Sequence, residues 1–330
     1  MKRLLILSSI LLFCQYSFSQ FSYSKDTILM GSAFNFTAIH AEKEGAQQAV
    51  FAGIQEVYRI ECFLSSWKDS SETSAINRNA GKQAVKVSLE LYDLLLRSKK
   101  ISALSNGYFD VSFASINKLW QFNQQEQLAP DSALVKQSIQ KINYKNIVLD
   151  SVSSSVFLLE EGMKIGFGAI GKGYAADRAK ELMKNLGAES GVVNAGGDVL
   201  AWGTKLDGSL WTIGIADPAH KNEILSTIEI DNFAIVTSGD YERYLTIKEE
   251  RYGHIINPKT GYPVKGVLSV TVLAPTAELA DALATTIFIL GEEEGIALAN
   301  HLKGVECILI NAENKFFFSE GIQLNLFEDE

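Results

Sequence analysis

Residues 165–178 read Ile165-Gly-Phe-Gly-Ala-Ile-Gly-Lys-Gly-Tyr-Ala-Ala-Asp-Arg178, a glycine-rich turn that contains a lysine and leads into an amphipathic segment. A second glycine turn, Val192-Val-Asn-Ala-Gly-Gly-Asp198, follows and ends in a carboxylate. Glycine lets backbone N–H groups approach an anion closely, and a helix N-terminus favours negative charge. We therefore expect a phosphate-bearing ligand to bind here.

The glycines at 166, 168 and 171 also match the G-x-G-x-x-G fingerprint of dinucleotide-binding folds. That fingerprint normally opens a run of alternating strands and helices, whereas the segments after it here are mostly strand-like. A Rossmann site is therefore the weaker interpretation. Tight helix–strand packing would explain the glycines, but it would not explain Lys172 among them.

The chain begins like an export signal. Lys2 and Arg3 precede an apolar run from Leu4 to Phe13, and polar, small residues follow to a plausible cleavage site near Ser19. We predict a signal peptide over residues 1–19 and a mature protein over 20–330 that is exported to the periplasm. Attachment of the exported protein to the inner membrane is a second possibility. Lipidation at Cys14 is the alternative, although Phe13 fits poorly before a lipidated cysteine.

Composition limits the partners. Removal of the leader changes the formal charge from −9 to −11, because Lys2 and Arg3 leave with it and no acid does. An acidic chain without a basic stripe argues against nucleic acid and against anionic membrane surfaces. Only Cys62 and Cys307 remain, too few for a disulfide framework or a zinc site.

Apolar periodicity predicts helices at 43–61, 88–105, 173–186, 277–289 and 292–303, with Ser88 as an N-cap. Strands are predicted near 146–149, 156–159, 191–194, 210–216, 227–230, 234–237, 244–247 and 267–273. This irregular mixture indicates an α+β fold. The Gln/Asn-rich segment 121–131 is predicted to be a loop that divides two lobes of one domain.

A second pattern suits a metal ion. Asp281 and Thr285 are four residues apart in a predicted helix and therefore share a face. Carboxylate and hydroxyl oxygens are hard ligands suited to Mg²⁺ on phosphate oxygens. A solvated Asp281 is the alternative, but the apolar neighbours indicate a buried helix, where an unpaired carboxylate is costly.

His254 lies at the end of a strand before the tight turn Pro258-Lys-Thr-Gly261. This placement suits a general base that must be held in position, although a structural histidine fits equally well. The turns Asn106–Asp110 and Thr237–Tyr241 carry aromatic and polar tips that could enclose a ring or a ribityl chain, and ordinary turns are the equal alternative.

Taken together and in this order, the segments resemble the ApbE family of flavin transferases, from Met30 to about Ile310. The resemblance rests on Phe63–Trp67, Ser70–Asn77, Asn106–Asp110, Gly168–Asp177, Val193–Asp198, Thr237–Tyr241, His254–Pro263 and Ala280–Thr286. It implies an ApbE-like, T-fold-like architecture in which mixed sheets and packed helices form two lobes around an FAD cleft.

The resemblance also implies an activity. The enzyme would bind FAD and, with Mg²⁺, transfer its FMN half to a Thr or Ser of an acceptor protein, releasing AMP. The acceptor would be an exported or membrane electron-transfer subunit with a Ser/Thr-Gly-Ala-Ser/Thr-like site. Hydrolysis of FAD, a flavin-dependent oxidoreductase and a non-catalytic flavin carrier are the alternatives.

Residue roles follow from the same resemblance. His254 is the candidate base. Contacts to FAD are expected from Met30, Tyr108, Phe109, Asp110, Lys172, Gly196, Gly197, Ser238 and Ile255. Mg²⁺ is expected at Ala169, Asp281, Ala284 and Thr285. Gly166 and Asn257 occupy positions where many family members carry Asp.

Overall fold

An antiparallel eight-stranded sheet forms the centre of the molecule, in a computed structural model that describes residues 20–116, 119–120, 122, 129–216, 224–240, 244–247 and 250–322. Its strand order is β1-β2-β6-β7-β10-β13-β14-β15. The bounds are β1 Phe21–Leu29, β2 Ser32–His40, β6 Ser190–Ala195, β7 Asp198–Trp202, β10 Phe233–Gly239, β13 Val267–Ala274, β14 Glu306–Asn311 and β15 Phe316–Phe318.

Three smaller sheets accompany it. One has the order β3-β5-β4, with β3 at Val85–Lys86, β4 at Ile147–Asp150 and β5 at Ser155–Leu158. The other two are hairpins: β8 Trp211–Ala216 with β9 Ile224–Ile230, and β11 Tyr244–Ile247 with β12 Glu250–Gly253.

Seven α-helices lie within the described residues: α1 Lys43–Leu64, α2 Glu72–Arg78, α3 Leu89–Leu104, α4 Ser132–Ile139, α5 Gly171–Asn185, α6 Ala277–Leu290 and α7 Glu292–His301. All five helices predicted from sequence are present, and Ser88 caps α3 by accepting a hydrogen bond from the N–H of Leu91. The α+β prediction is confirmed. Strands β1, β2, β3, β7, β14 and β15 and helices α2 and α4 were not predicted.

The core lies between the sheet and helices α1, α5 and α6, which pack on it and on one another. Helix α6 is apolar on nearly every side, and ten of its residues are buried. A helix of that kind belongs inside a protein rather than on its surface. The core therefore holds α6 rigidly, and with it Asp281 and Thr285.

The topology excludes a Rossmann site at the glycine turn. Every strand pairing among the described residues is antiparallel, and β6, the strand after α5, pairs antiparallel with β2. The strand before α5, β5, ends at Leu158 and belongs to a different sheet. A dinucleotide fingerprint needs a parallel βαβ unit, which this segment does not form.

Two sequence predictions fall largely on residues outside the described ranges. The signal peptide, with Cys14, lies wholly outside them, as does most of the 121–131 segment proposed to divide two lobes. Both stay predictions. No helix within the described part of the chain combines the length and apolar character needed to cross a bilayer.

Candidate active site

The glycine turn brings α5 against α6. A Cβ placed on Gly173 would lie 2.1 Å from the carbonyl oxygen of Ala277, the first residue of α6. Only glycine allows the two helix N-termini to approach so closely. By contrast, a Cβ on Gly168 would meet nothing within 4 Å. Close helix packing therefore explains Gly173 but not Gly168.

Asp281 meets the first turn of α5. Its side chain is 4% exposed, and its Oδ2 accepts a hydrogen bond from the N–H of Gly173 at 3.0 Å. This N–H bonds to Asp281 rather than to Ala169, four residues earlier, so the carbonyl of Ala169 stays outside the helical ladder. Ala169 lies two residues before the start of α5, so the Asp281 carboxylate meets the end of α5 that Ala169 precedes.

Thr285 lies one turn after Asp281 on α6, and its hydroxyl is 3.5 Å from the hydroxyl of Ser238 on β10. Two predicted site residues are thereby in contact. Ala284 is fully buried in the middle of α6. Its carbonyl belongs to the helical hydrogen-bond ladder, so it could reach a cation only through its second lone pair.

Lys172 forms an ion pair with Asp198, the first residue of β7. Asp198 is 4% exposed; burial raises the pKa of its carboxyl, and the Lys172 ammonium opposes that rise. The turn before it, Gly196-Gly197, has φ angles of 71° and 104°, a left-handed backbone that favours glycine. The ion pair therefore connects Lys172 to the end of the Gly196-Gly197 turn.

Asp198 received no site role from sequence. The sequence pattern that indicates it is the apolar segment Asp198-Val-Leu-Ala-Trp202, which forms a fully buried strand. A carboxylate in such a strand needs a cationic partner. The structure supplies Lys172 as that partner.

Met30 occupies the turn between β1 and β2, with a φ of 49°. Its N–H donates to Oε2 of Glu61 at 2.8 Å, and its terminal methyl group lies 3.6 Å from the position that a Cβ on Gly171 would take. Met30 therefore packs at the start of α5, beside the residues already described.

The segment 108–110 follows α3. Asp110 is buried, and its carboxylate accepts hydrogen bonds from the N–H and hydroxyl of Ser112 and from the N–H of Tyr144, at 2.8, 2.6 and 2.7 Å. Burial raises its pKa. These bonds give Asp110 a structural role in its own turn. Phe109 is only 3% exposed, which leaves Tyr108 the best placed of the three to meet a ligand; the Nζ of Lys259 lies 5.8 Å from its ring centre.

His254 follows β12, and its ring packs edge-on against Phe122, with centroids 6.5 Å apart. A Cβ on the preceding Gly253 would lie 2.8 Å from the Cβ of Asp240, which comes two residues after Ser238. The His254 segment is therefore adjacent to the end of β10, the strand that carries Ser238.

The turn after His254 is rigid. Ile255 accepts a hydrogen bond from the N–H of Val264 through its carbonyl at 2.9 Å. Asn257 accepts one from the N–H of Lys259 through Oδ1 at 2.8 Å. An asparagine side chain thus caps this turn.

A further candidate is Trp67, whose side chain is 80% exposed just beyond the C-terminal end of α1. The same end of α1 contributes Leu64, which lies near Gly171, and Glu61, which holds Met30. An exposed indole is a large planar surface of the kind that stacks on aromatic rings. Trp67 ends the family-like segment Phe63–Trp67, but the sequence alone predicts no role for it.

The oxygen donors fit Mg²⁺. No group of three His, Cys, Asp or Glu side chains that could hold a metal occurs among the described residues. A cation here would therefore use the Asp281 carboxylate, the Thr285 hydroxyl and the Ala169 carbonyl, with other ligands from water or substrate. Magnesium commonly binds in this way, through one or two carboxylates plus phosphate oxygens.

Fold and site together define an α+β protein with two buried carboxylates at a helix N-terminus, one of them paired with the half-buried Lys172. This arrangement suits a phosphate-bearing ligand. Residues 30–309 match the model of the ApbE family. The chain belongs to the ApbE family.

Similar proteins and solved structures support the same family membership. The chain is 31% identical to an FAD:protein FMN transferase of Treponema pallidum, over 91% of this chain and 87% of that protein. It is 30% identical to an FAD:protein FMN transferase of Klebsiella pneumoniae, over 90% and 92%. The crystal structure of the ApbE protein of Thermotoga maritima has a TM-score of 0.83 and 29% identity, covering 91% of this chain and 97% of that one.

Proposed function

We propose that this protein catalyses the reaction for which its relatives are named, transfer of the FMN moiety of FAD to a Thr or Ser side chain of an acceptor protein. The observation that carries the proposal is the meeting of Lys172–Asp198 and Asp281 at the first turn of α5. A lysine and a helix N-terminus receive a diphosphate, and a buried carboxylate beside them receives its counter-cation.

In the proposed reaction the acceptor hydroxyl attacks the phosphorus on the riboflavin side of the FAD diphosphate. A phosphoester P–O bond forms, the bond from that phosphorus to the bridging oxygen breaks, and AMP leaves with the bridging oxygen. His254 takes the hydroxyl proton as general base. Lys172 orients the diphosphate and opposes its charge.

Mg²⁺ would be held by Asp281, Thr285 and the carbonyl of Ala169, and when bound it neutralises charge on the diphosphate oxygens. Tyr108 and Trp67 would contact the flavin. The protein would act after export, on an electron-transfer subunit with a Ser/Thr-Gly-Ala-Ser/Thr-like site. Action after export is consistent with the predicted signal peptide, in which basic residues precede an apolar run within residues 1–19.

Hydrolysis of FAD to FMN and AMP is the second candidate, because water can take the place of the acceptor hydroxyl at the same site. A flavin oxidoreductase built on the dinucleotide fingerprint is disfavoured by the antiparallel topology around α5.

The test incubates residues 20–330 with FAD, Mg²⁺ and a peptide carrying the acceptor motif, with EDTA and the Asp281→Ala variant as controls. Flavin fluorescence that stays on the denatured peptide, with equimolar AMP, supports the transferase. AMP without a labelled peptide indicates the hydrolase. If FAD remains intact with a full-length electron-transfer subunit as well, the protein is a carrier and the proposal is wrong.

A further inference from the structure

Asp177 has no part in the chemistry above, yet both oxygens of its carboxylate accept backbone hydrogen bonds from another helix. It lies on α5, one turn after Gly173, and accepts hydrogen bonds from the backbone N–H groups of Ala277 at 2.9 Å and Glu278 at 2.8 Å. These are the first two residues of α6. A side chain of one helix thus caps the N-terminus of another.

Two such ties connect the helices. Gly173 and Asp177 are four residues apart on α5, and their partners Asp281 and Ala277 are four residues apart on α6. Consecutive turns of both helices are therefore joined, once from α5 backbone to α6 side chain and once from α5 side chain to α6 backbone. Packing in the core holds α6 against the sheet, and the two ties add a defined rotation and position of α6 relative to α5.

A simple helix cap is the alternative explanation. Helix α6 already has one of its own, since the Thr276 hydroxyl accepts a hydrogen bond from the N–H of Leu279 at 3.3 Å. Its first turn is also held by an ion pair between Arg97 and Glu278 at 2.6 Å. Moreover, burial works against the charged form of Asp177 and raises its pKa to about 6. The Thr276 cap serves the N–H of Leu279 only, whereas Asp177 serves those of Ala277 and Glu278 and also links α6 to α5, which a cap from within α6 does not do.

We propose that Asp177 is a positioning residue that holds α6 in the register in which Asp281 and Thr285 meet the Ala169 carbonyl and the diphosphate. The inference rests on the proposed function, because it gives Asp281 the role of cation ligand. Asp177 acts through α6 and touches neither substrate nor cation.

The experiment compares Asp177→Ala with two matched cap deletions. Thr276→Ala weakens the same helix without touching α5. Asp131→Ala removes an N-cap that accepts two backbone hydrogen bonds at 2.8 and 3.2 Å on α4, a helix that carries none of the proposed ligands. Asp177→Asn keeps one acceptor oxygen and serves if the alanine variant does not fold. Binding of Mn²⁺, which accepts the same oxygen ligands as Mg²⁺, is followed by electron paramagnetic resonance with FAD present. Binding of FAD alone is followed in EDTA.

We expect Asp177→Ala to weaken Mn²⁺ binding by about 10-fold or more, the usual loss when support for a metal ligand is removed. Asp177→Asn should fall between this variant and the wild type. FAD binding in EDTA should change little. Thr276→Ala and Asp131→Ala should lower the melting temperature and bind Mn²⁺ as the wild type does.

Two results would overturn the inference: Mn²⁺ binding by the Asp177 variants within twofold of the wild type, or an equal loss in Thr276→Ala, which would make Asp177 a helix cap only. A failure of the metal assignment itself gives a different result: the wild type and Asp281→Ala would bind Mn²⁺ equally.

Discussion

The contact between Gly173 and α6 allows a strict test of how the site is built. In Gly173→Ala the new methyl group would lie 2.1 Å from the carbonyl oxygen and 2.5 Å from the carbonyl carbon of Ala277. Real Cβ atoms essentially never approach another atom within 3.0 Å. Backbone atoms cannot swing aside as a side chain can, so the two helices must separate by about 1 Å, a rearrangement of the kind that overpacked cores undergo.

The expected cost combines three contributions. Overpacking costs about 1–3 kcal/mol. The lost or weakened hydrogen bond from the Gly173 N–H to Asp281 costs about 1 kcal/mol. Replacing glycine by alanine within a helix returns about 1 kcal/mol. The net destabilisation is about 2 kcal/mol. With an unfolding entropy of about 2 cal/mol/K per residue, a chain of this size loses about 3 °C in melting temperature.

The matched control is Gly171→Ala, two residues earlier in α5, where the nearest atoms to the new Cβ would lie at 3.4, 3.6 and 3.7 Å, in ordinary van der Waals contact. This variant should be as stable as the wild type or slightly more stable. Differential scanning calorimetry of both variants gives the difference directly. Equal melting temperatures, or a Gly173→Ala variant more stable than Gly171→Ala, would refute the close approach of the two helices.

Three further predictions concern the site. Asp281→Ala should abolish Mg²⁺-dependent turnover while circular dichroism shows a retained fold; unchanged activity with unchanged Mg²⁺ dependence would defeat the metal assignment. His254→Ala should lower kcat more than it weakens FAD binding measured by fluorescence quenching, whereas an equal loss in both would indicate a structural histidine. The pKa of Asp177 is raised from 3.8 to about 6, so the folded state holds its proton more tightly than the unfolded chain does. Its contribution to stability is therefore present below pH 4 and is lost as the pH rises through 6, by about 3 kcal/mol. Asp177→Asn should remove that part of the pH dependence, which urea unfolding at pH 4 and pH 7.5 measures. If the free energy of unfolding changed equally between the two pH values in both proteins, the prediction would be contradicted.

The secondary structure around the site could be predicted because its signals are local. Ser88 lies within one turn of the N–H that it caps, and the apolar stripe of α5 repeats along the chain itself. Strand β1 escaped prediction because it is an edge strand, mostly exposed, and lacks a buried face. Strand β2 does alternate, with Phe34, Phe36 and Ala38 buried, so its signal was present and was overlooked.

Local sequence patterns establish the fold class, the glycine turn with Lys172 inside it, and the spacing that places Asp281 and Thr285 on one helical face. The folded structure was needed to show which groups meet: Asp198 with Lys172, 26 residues apart in the chain, and Asp281 with Gly173, 108 residues apart. It also showed that Asp110 is bound within its own turn, and that Asp177 joins α5 to α6. The physical reason is that a helix or a turn is specified by neighbours within a few residues, whereas the partner of a buried charge is chosen by the packing of distant elements, and no local pattern encodes that choice.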